Sequence, residues 1–136
     1  MRVCLDTNVL VAAFAARGLC ADVLRVCLTE HDLVIGKVHL TELRRALRNK
    51  IKLPDDKIAA AEAVFSGIEI LPKPDKPASV PVRDSADRWI IATAVAGDAN
   101  CLVTGDNDLL SIGSESPLPI LTPRAFWEML SQRRTE

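Results

Sequence analysis

Asp6, Glu42, Asp87 and Asp106 each stand at the edge of an apolar stretch, where a carboxylate is out of place. Asp6 ends the run Val3-Cys4-Leu5, and Asp106 follows Cys101-Leu102-Val103-Thr104 after one glycine. Glu42 and Asp87 lie in the opening turns of two segments with helical patterning. Four separated segments that each bring one carboxylate to a common edge build an oxygen cage for a hard divalent cation. All-oxygen ligation selects Mg²⁺ or Mn²⁺ over zinc. A cation held in this way activates water and neutralises charge on a phosphodiester. The expected chemistry is metal-dependent hydrolysis of phosphodiesters.

Each acid also has a plainer reading. Asp6, with Thr7 and Asn8 behind it, is equally suited to capping a helix. Asp84-Ser85-Ala86-Asp87 resembles a capping box, which accounts for Asp84 well. It accounts for Asp87 less well, because Ile90, Ile91, Ala94 and Val95 place Asp87 on the core-facing stripe of its helix. An ionised Asp on that stripe is costly unless something pairs with it. Asp106 stands in Gly105-Asp106-Asn107-Asp108, which turn chemistry alone could produce, and Asp108 reads as a helix cap or a supporting group. Glu42 is the weakest on local grounds, since Arg44, Arg45 and Arg48 could pair with it on a solvated surface. Taken together the four acids are harder to dismiss, because carboxylates converging on one edge repel and a cation relieves them.

The elements needed to position these acids are legible as an alternation of strands and helices. Arg2–Asp6 is a short apolar run of the kind buried on both faces of a parallel sheet. A helix follows from Val9 to Ala16, and another over Leu19–Glu30. Asp32–Val38 is a second strand, His39–Asn49 a helix with Leu40, Leu43 and Leu47 on one stripe, and Pro54 opens a helix to about residue 65 at a first-turn position. Ile68–Leu71 is a third strand. Pro72, Pro74, Pro77 and Pro81 then stiffen a connector that cannot join a ladder. Asp84–Ala96 is the clearest helix, Cys101–Thr104 a fourth strand and Ile120–Leu121 a fifth. Thr122-Pro123 caps and opens a last helix over Arg124–Gln132. The pattern predicts an α/β fold with a mainly parallel five-stranded sheet.

The 136 residues form one domain, 1–136, with 49% apolar residues and a net charge of −1. That balance argues against coating of duplexes through many phosphate contacts, and leaves binding of a small or single-stranded substrate open. Cys4, Cys20, Cys27 and Cys101 have no CxxC spacing and no ligand spacing to His31 or His39. They read as small core hydrophobes in a reducing compartment. No stretch approaches the roughly 20 apolar residues of a membrane span, and the N-terminus lacks a signal-peptide pattern. The expected location is cytoplasmic.

The opening Val3-Cys4-Leu5-Asp6-Thr7-Asn8-Val9-Leu10, the helical Glu42, the run from Asp84 to Ala94 and Leu102-Val103-Thr104-Gly105-Asp106 resemble the PIN-domain nucleases in order over nearly the whole chain. The similarity is greatest to the VapC-type and related toxin components of toxin–antitoxin pairs. The resemblance implies a three-layer α/β/α, doubly wound sheet with strand order 3-2-1-4-5, and a Mg²⁺- or Mn²⁺-dependent ribonuclease. Carried across by position, it implies catalytic and metal-holding roles for Asp6, Glu42, Asp87 and Asp106, around one or two ions. Asn8 and Thr104 match accompanying polar residues that orient ligands or water. The resemblance leaves open which of Asp84 and Asp87 is the third ligand, since this subgroup carries both; the core-stripe position favours Asp87, with Asp84 supporting. The resemblance also implies a homodimer and a small antitoxin partner. Arg44, Arg45 and Arg48, with Lys50 and Lys52, form a candidate phosphate-steering strip whose alternative is a solvated helix face.

Three rival readings are weaker. A phospho-acceptor signalling domain needs an Asp after the third strand and a Lys after the fifth, where this chain has Leu71-Pro72 and Leu121-Thr122. A haloacid-dehalogenase-type phosphatase would place its general acid at Asn8, which cannot serve. A catalytically inactive relative that only binds RNA or a partner ranks behind catalysis because all four acids are present.

Overall fold

The computed structural model describes residues 1–135, with side chains described to Arg133. Its five strands are β1 (Arg2–Leu5), β2 (Asp32–Gly36), β3 (Ile70–Leu71), β4 (Cys101–Val103) and β5 (Ile120–Leu121). They form one sheet in the order β3-β2-β1-β4-β5, with every pairing parallel. Parallel neighbours need crossovers, and α1 (Thr7–Ala15), α2 (Leu19–Glu30), α3 (Lys37–Asn49), α4 (Asp55–Ala63) and α5 (Ser85–Ala96) lie in those connections. After β4 come a short α6 (Asn107–Leu110) and a 3₁₀ turn (Gly113–Glu115). The closing helix is α7 (Pro123–Thr135).

The period-two alternation of the strands explains the three layers. Val3 and Leu5, Leu33 and Ile35, and Cys101 and Val103 point into one core, against Val9, Leu10, Val23, Cys27, Leu43, Leu47 and Phe126. Cys4, Val34 and Leu102 point the other way and pack against Ile90, Ile91, Ala94 and Leu109. The sheet is therefore covered on both faces, as the continuous apolar strands require. The expected doubly wound α/β fold and its strand order are observed.

Several local expectations are corrected. β3 begins at Ile70 rather than Ile68, and α1 at Thr7 rather than Val9. β2 stops at Gly36 rather than Val38, and α3 begins at Lys37. The buried His39 ring terminates the strand by accepting a hydrogen bond at Nδ1 from the Gly36 N–H, at 3.1 Å. Gly36 also lies so close to α5 that an added Cβ would come within 2.7 Å of Thr93 Cγ2. Pro54 is the N-cap of α4 rather than its first-turn residue. Finally, the short helix implied by reading Asp108 as a cap begins at Asn107, with Asp106 rather than Asp108 as its N-cap, and the 3₁₀ turn was not expected; elements this short display no period.

Candidate metal centre

Strand β1 ends at Leu5, in register with Val103 of β4. The next residue, Asp6, keeps that register by donating its N–H to the Val103 carbonyl at 2.9 Å. Asp6 thus leaves the sheet beside Thr104, at the carboxyl edge where ligands bind in open α/β sheets. The Thr104 hydroxyl donates to Asp6 Oδ2 at 2.7 Å and accepts from the Asp106 N–H at 3.0 Å. One buried threonine therefore ties the first acid to the fourth. Asp6 is the N-cap residue of α1, but its carboxylate makes no side-chain cap bond. The capping explanation leaves that carboxylate free for another role.

Asp6, Asn8, Glu42, Asp84, Asp87 and Asp106 all line one cleft of about 430 Å³, with Arg45 and Lys50 at its margin. Glu42 lies in the second turn of α3, because that helix starts earlier than its apolar period suggests. Asp84 caps α5 by accepting from the Ala86 N–H at 2.9 Å. Asp87, in the first turn of the helix, is buried, and its Oδ2 has no hydrogen-bond partner. Asp108 does not line the cleft. Its N–H donates to Asp106 Oδ1 at 2.9 Å, the bond by which Asp106 caps α6, and its carboxylate ion-pairs with Arg83 at 3.2 Å.

The electrostatics are those of like charges held together. Burial raises the Asp6 carboxyl above its ordinary range, and Asp106 and Asp84 add to the rise; the Thr104 hydroxyl and the Thr7 backbone oppose it. Burial also raises Glu42, reinforced by Asp6 and Asp84 and opposed by Thr7 and Arg45. The Thr7 hydroxyl is near enough to favour the charged form of Glu42 without making a well-formed hydrogen bond. Asp87 is displaced furthest, to about 7, through burial first and then through Asp6, Asp106, Asp84 and Glu42.

Among the described residues, no three acidic, histidine or cysteine side chains are already gathered into a finished metal-ligand cluster. The acids face one another across the cleft from four elements. Their hard oxygen donors and the unpartnered oxygen of Asp87 fit a divalent cation. Of the three candidate phosphate-binding arginines, Arg45 alone lines the cleft. Arg44 pairs with Glu62 of α4, and Arg48 lies 3.5 Å from Asp55.

Sequence reasoning missed the part played by His39. Its ring is fully buried, with Nε2 3.4 Å from Cys4 Sγ and Nδ1 capping the helix that carries Glu42. Burial lowers its pKa to about 4, so it is a neutral positioning residue. The only signal for it in the sequence is a polar residue three positions after a glycine at a strand end.

A doubly wound parallel sheet with an acid-lined cleft at its carboxyl edge defines the class. A family model described as the PIN domain matches residues 2–108, and the chain belongs to that family, whose members are in general nucleases. Among solved structures, it is similar to VapBC2 from Rickettsia felis, bound to a DNA fragment from its promoter. There the identity is 20%, the TM-score 0.66, and the coverage 90% of this chain and 98% of that one. It is also similar to FitAcB from Neisseria gonorrhoeae, at 19% identity and TM-score 0.58 over 90% of this chain and 98% of the other. No curated protein matches by sequence. Among the described residues, no helix is long and apolar enough to cross a membrane.

Proposed function

We propose that the protein is a Mg²⁺- or Mn²⁺-dependent endoribonuclease, acting in the cytoplasm as the toxin of a toxin–antitoxin pair. The observation that carries this reading is Asp87: a buried carboxylate with an unpartnered oxygen, surrounded by like charge. Such a group is stabilised when a cation joins it. Asp6, Asp87 and Asp106, with Glu42 directly or through water, would hold one or two ions. A bound ion supplies an activated water and a counter-charge for the scissile phosphate.

The chain's own residues then have separate tasks. The Thr104 hydroxyl fixes which way Asp6 presents its second oxygen, and Asp108 does the same for Asp106 through its backbone N–H. Asn8 is exposed at the cleft and is placed to orient water or a phosphate oxygen. The cleft lining holds no histidine among the described residues, so a carboxylate or bulk water takes the proton from the nucleophile. An antitoxin partner and a homodimer follow from the family resemblance, and the similar VapBC2 and FitAcB structures support the first.

The test is cleavage of single-stranded and structured RNAs by purified protein in Mg²⁺, Mn²⁺ or EDTA, beside Asp6→Ala. Metal-dependent cutting by the wild type, lost in a folded Asp6→Ala variant, is the expected result. Cutting that survives Asp6→Ala refutes the assignment. A folded wild type that binds RNA but never cuts it would instead establish the inactive, binding-only relative.

A further inference from the structure

A second pocket of about 320 Å³ adjoins the acid cleft and shares Glu42, Arg45 and Ala86 with it. It lies between α3 and α5 and is unlike its neighbour in chemistry. Lys37 and Arg45 enter from α3, Trp89 from α5, and Lys73 from the proline-rich connector. Lys73 Nζ stands over the Trp89 ring, 4.2 Å from its centroid. Trp89 is half-buried, whereas the three cations are exposed. Among the described residues none of those cations is ion-paired, in contrast to Arg44 and Arg48 on the same helix.

An aromatic face covered by a lysine, with two further cations outside any ion pair beside it, matches the two halves of a nucleotide once Lys73 moves from the ring to a phosphate. The base has a π-face to stack, and the flanking phosphates have charge to neutralise. The stiff connector fixes the Lys73 backbone without offering strand edges, and its exposed, flexible side chain is free to leave the ring for a phosphate. A base inside a duplex has its faces already stacked, so only an unstacked base can use such a platform.

We propose that this annex seats one unstacked base of a single-stranded nucleic acid against Trp89. The phosphates on either side lie on Lys37, Arg45 and Lys73, and the neighbouring phosphodiester lies in the acid cleft. The proposal rests on the nuclease reading for what happens in the cleft, but not for binding in the annex. Arg45, at the seam of the two pockets, serves both. The annex makes the enzyme selective for exposed strands, and Trp89 is its specificity-determining residue.

The experiment uses the full chain in EDTA, so that binding is read without cleavage. A Trp127→Phe background leaves Trp89 as the single tryptophan. Its fluorescence is followed during titration with a single-stranded RNA of roughly eight nucleotides, a length within the usual site size. The controls are an abasic strand of the same length, a blunt RNA duplex and a polyglutamate peptide. Quenching by the base-bearing single strand alone is the expected result. Trp89→Ala should weaken binding of that strand roughly 5- to 150-fold, the range observed for losing one stacked base. It should leave affinity for the abasic strand unchanged. Lys37→Ala should lower the slope of log affinity against log salt by about 0.7.

Equal quenching by the abasic strand, by the duplex or by the peptide overturns the proposal. So does an absence of quenching by every probe. If Trp89→Ala does not fold, the contrast between base-bearing and abasic strands in the Trp127→Phe protein still decides the matter. Quenching without cleavage in Mg²⁺ or Mn²⁺ keeps the annex and removes the nuclease reading. Metal-dependent cleavage without quenching does the reverse.

Discussion

Replacing Asp87 by Asn should stabilise the metal-free protein above neutral pH. The carboxyl titrates near 7 in the fold against an ordinary value of 3.8. Raised in this way, it opposes folding wherever the unfolded chain has lost a proton that the folded chain still holds, or has lost at greater cost. The penalty is absent below 3.8, grows between 3.8 and about 7, and is complete above that range. A displacement of this size corresponds to at most ~4 kcal/mol. Water in the open cleft screens the neighbouring charges, leaving ~2 kcal/mol. Asn removes the charge at nearly constant volume. Thermal melts in chelator should therefore show the variant higher by about 6 °C at about pH 8, given the entropy of unfolding of a domain this size. At about pH 5 the gain should be smaller, because only part of the penalty has developed. Saturating Mg²⁺ should reverse the order: the wild type gains ~2.7 kcal/mol at 100 times its dissociation constant, and the variant much less. An Asn variant that melts below the wild type in chelator at about pH 8 would refute the reasoning. So would a gain equal at both pH values, since the carboxylate would then not be the source of the strain.

Thr104→Val should leave the fold intact and weaken metal binding by about 10- to 100-fold, because it releases Asp6 from a 2.7 Å hydrogen bond; titration calorimetry with Mn²⁺ checks this. His39→Ala should cost about 2–4 kcal/mol, through the cavity it leaves and the lost cap of α3, as measured by urea unfolding. With its pKa lowered to about 4, His39 binds its proton less readily in the fold. Its replacement should therefore remove the acid-side destabilisation that develops as pH falls from about 6.5 towards 4, and leave the pH dependence above 6.5 unchanged.

The sequence shows some parts of the site clearly and others hardly at all. Asp6 and Asp106 are visible because each ends an apolar strand, and the register of β1 with β4 brings those ends together. Asp87 is visible because its helix places it on the same stripe as Ile90 and Ile91, which are fully buried. Glu42 has no such local mark. Its place in the cleft depends on the path of the β2–α3 junction, where Gly36 packs on Thr93 and His39 ends the strand. Val38 resumes the apolar pattern of β2 after Gly36 and Lys37, so hydrophobicity alone carries the strand two residues too far. The fate of the arginines is equally non-local, because Arg44 and Arg48 pair with Glu62 and Asp55, residues of a helix whose docking cannot be read from α3.

That pairing bears on how a chain of net charge −1 could handle a polyanion. Global charge governs non-specific attraction, but a cleft of one sign focuses its own field. Here acids and cations share the helix α3 and are sorted by where their partners lie. Arg44 and Arg48 are paired with carboxylates of α4, whereas Arg45 is left beside Glu42, between the acid cleft and the cationic annex. A strand crossing this boundary would leave its phosphates on a few cations rather than on a continuous basic surface. Affinity for undamaged duplex would then be weak, because few counterions are released. Discrimination would come from the Trp89 ring, which a paired base cannot reach. The near-neutral composition is thus compatible with a nuclease that selects exposed strands, and less so with one that scans duplexes.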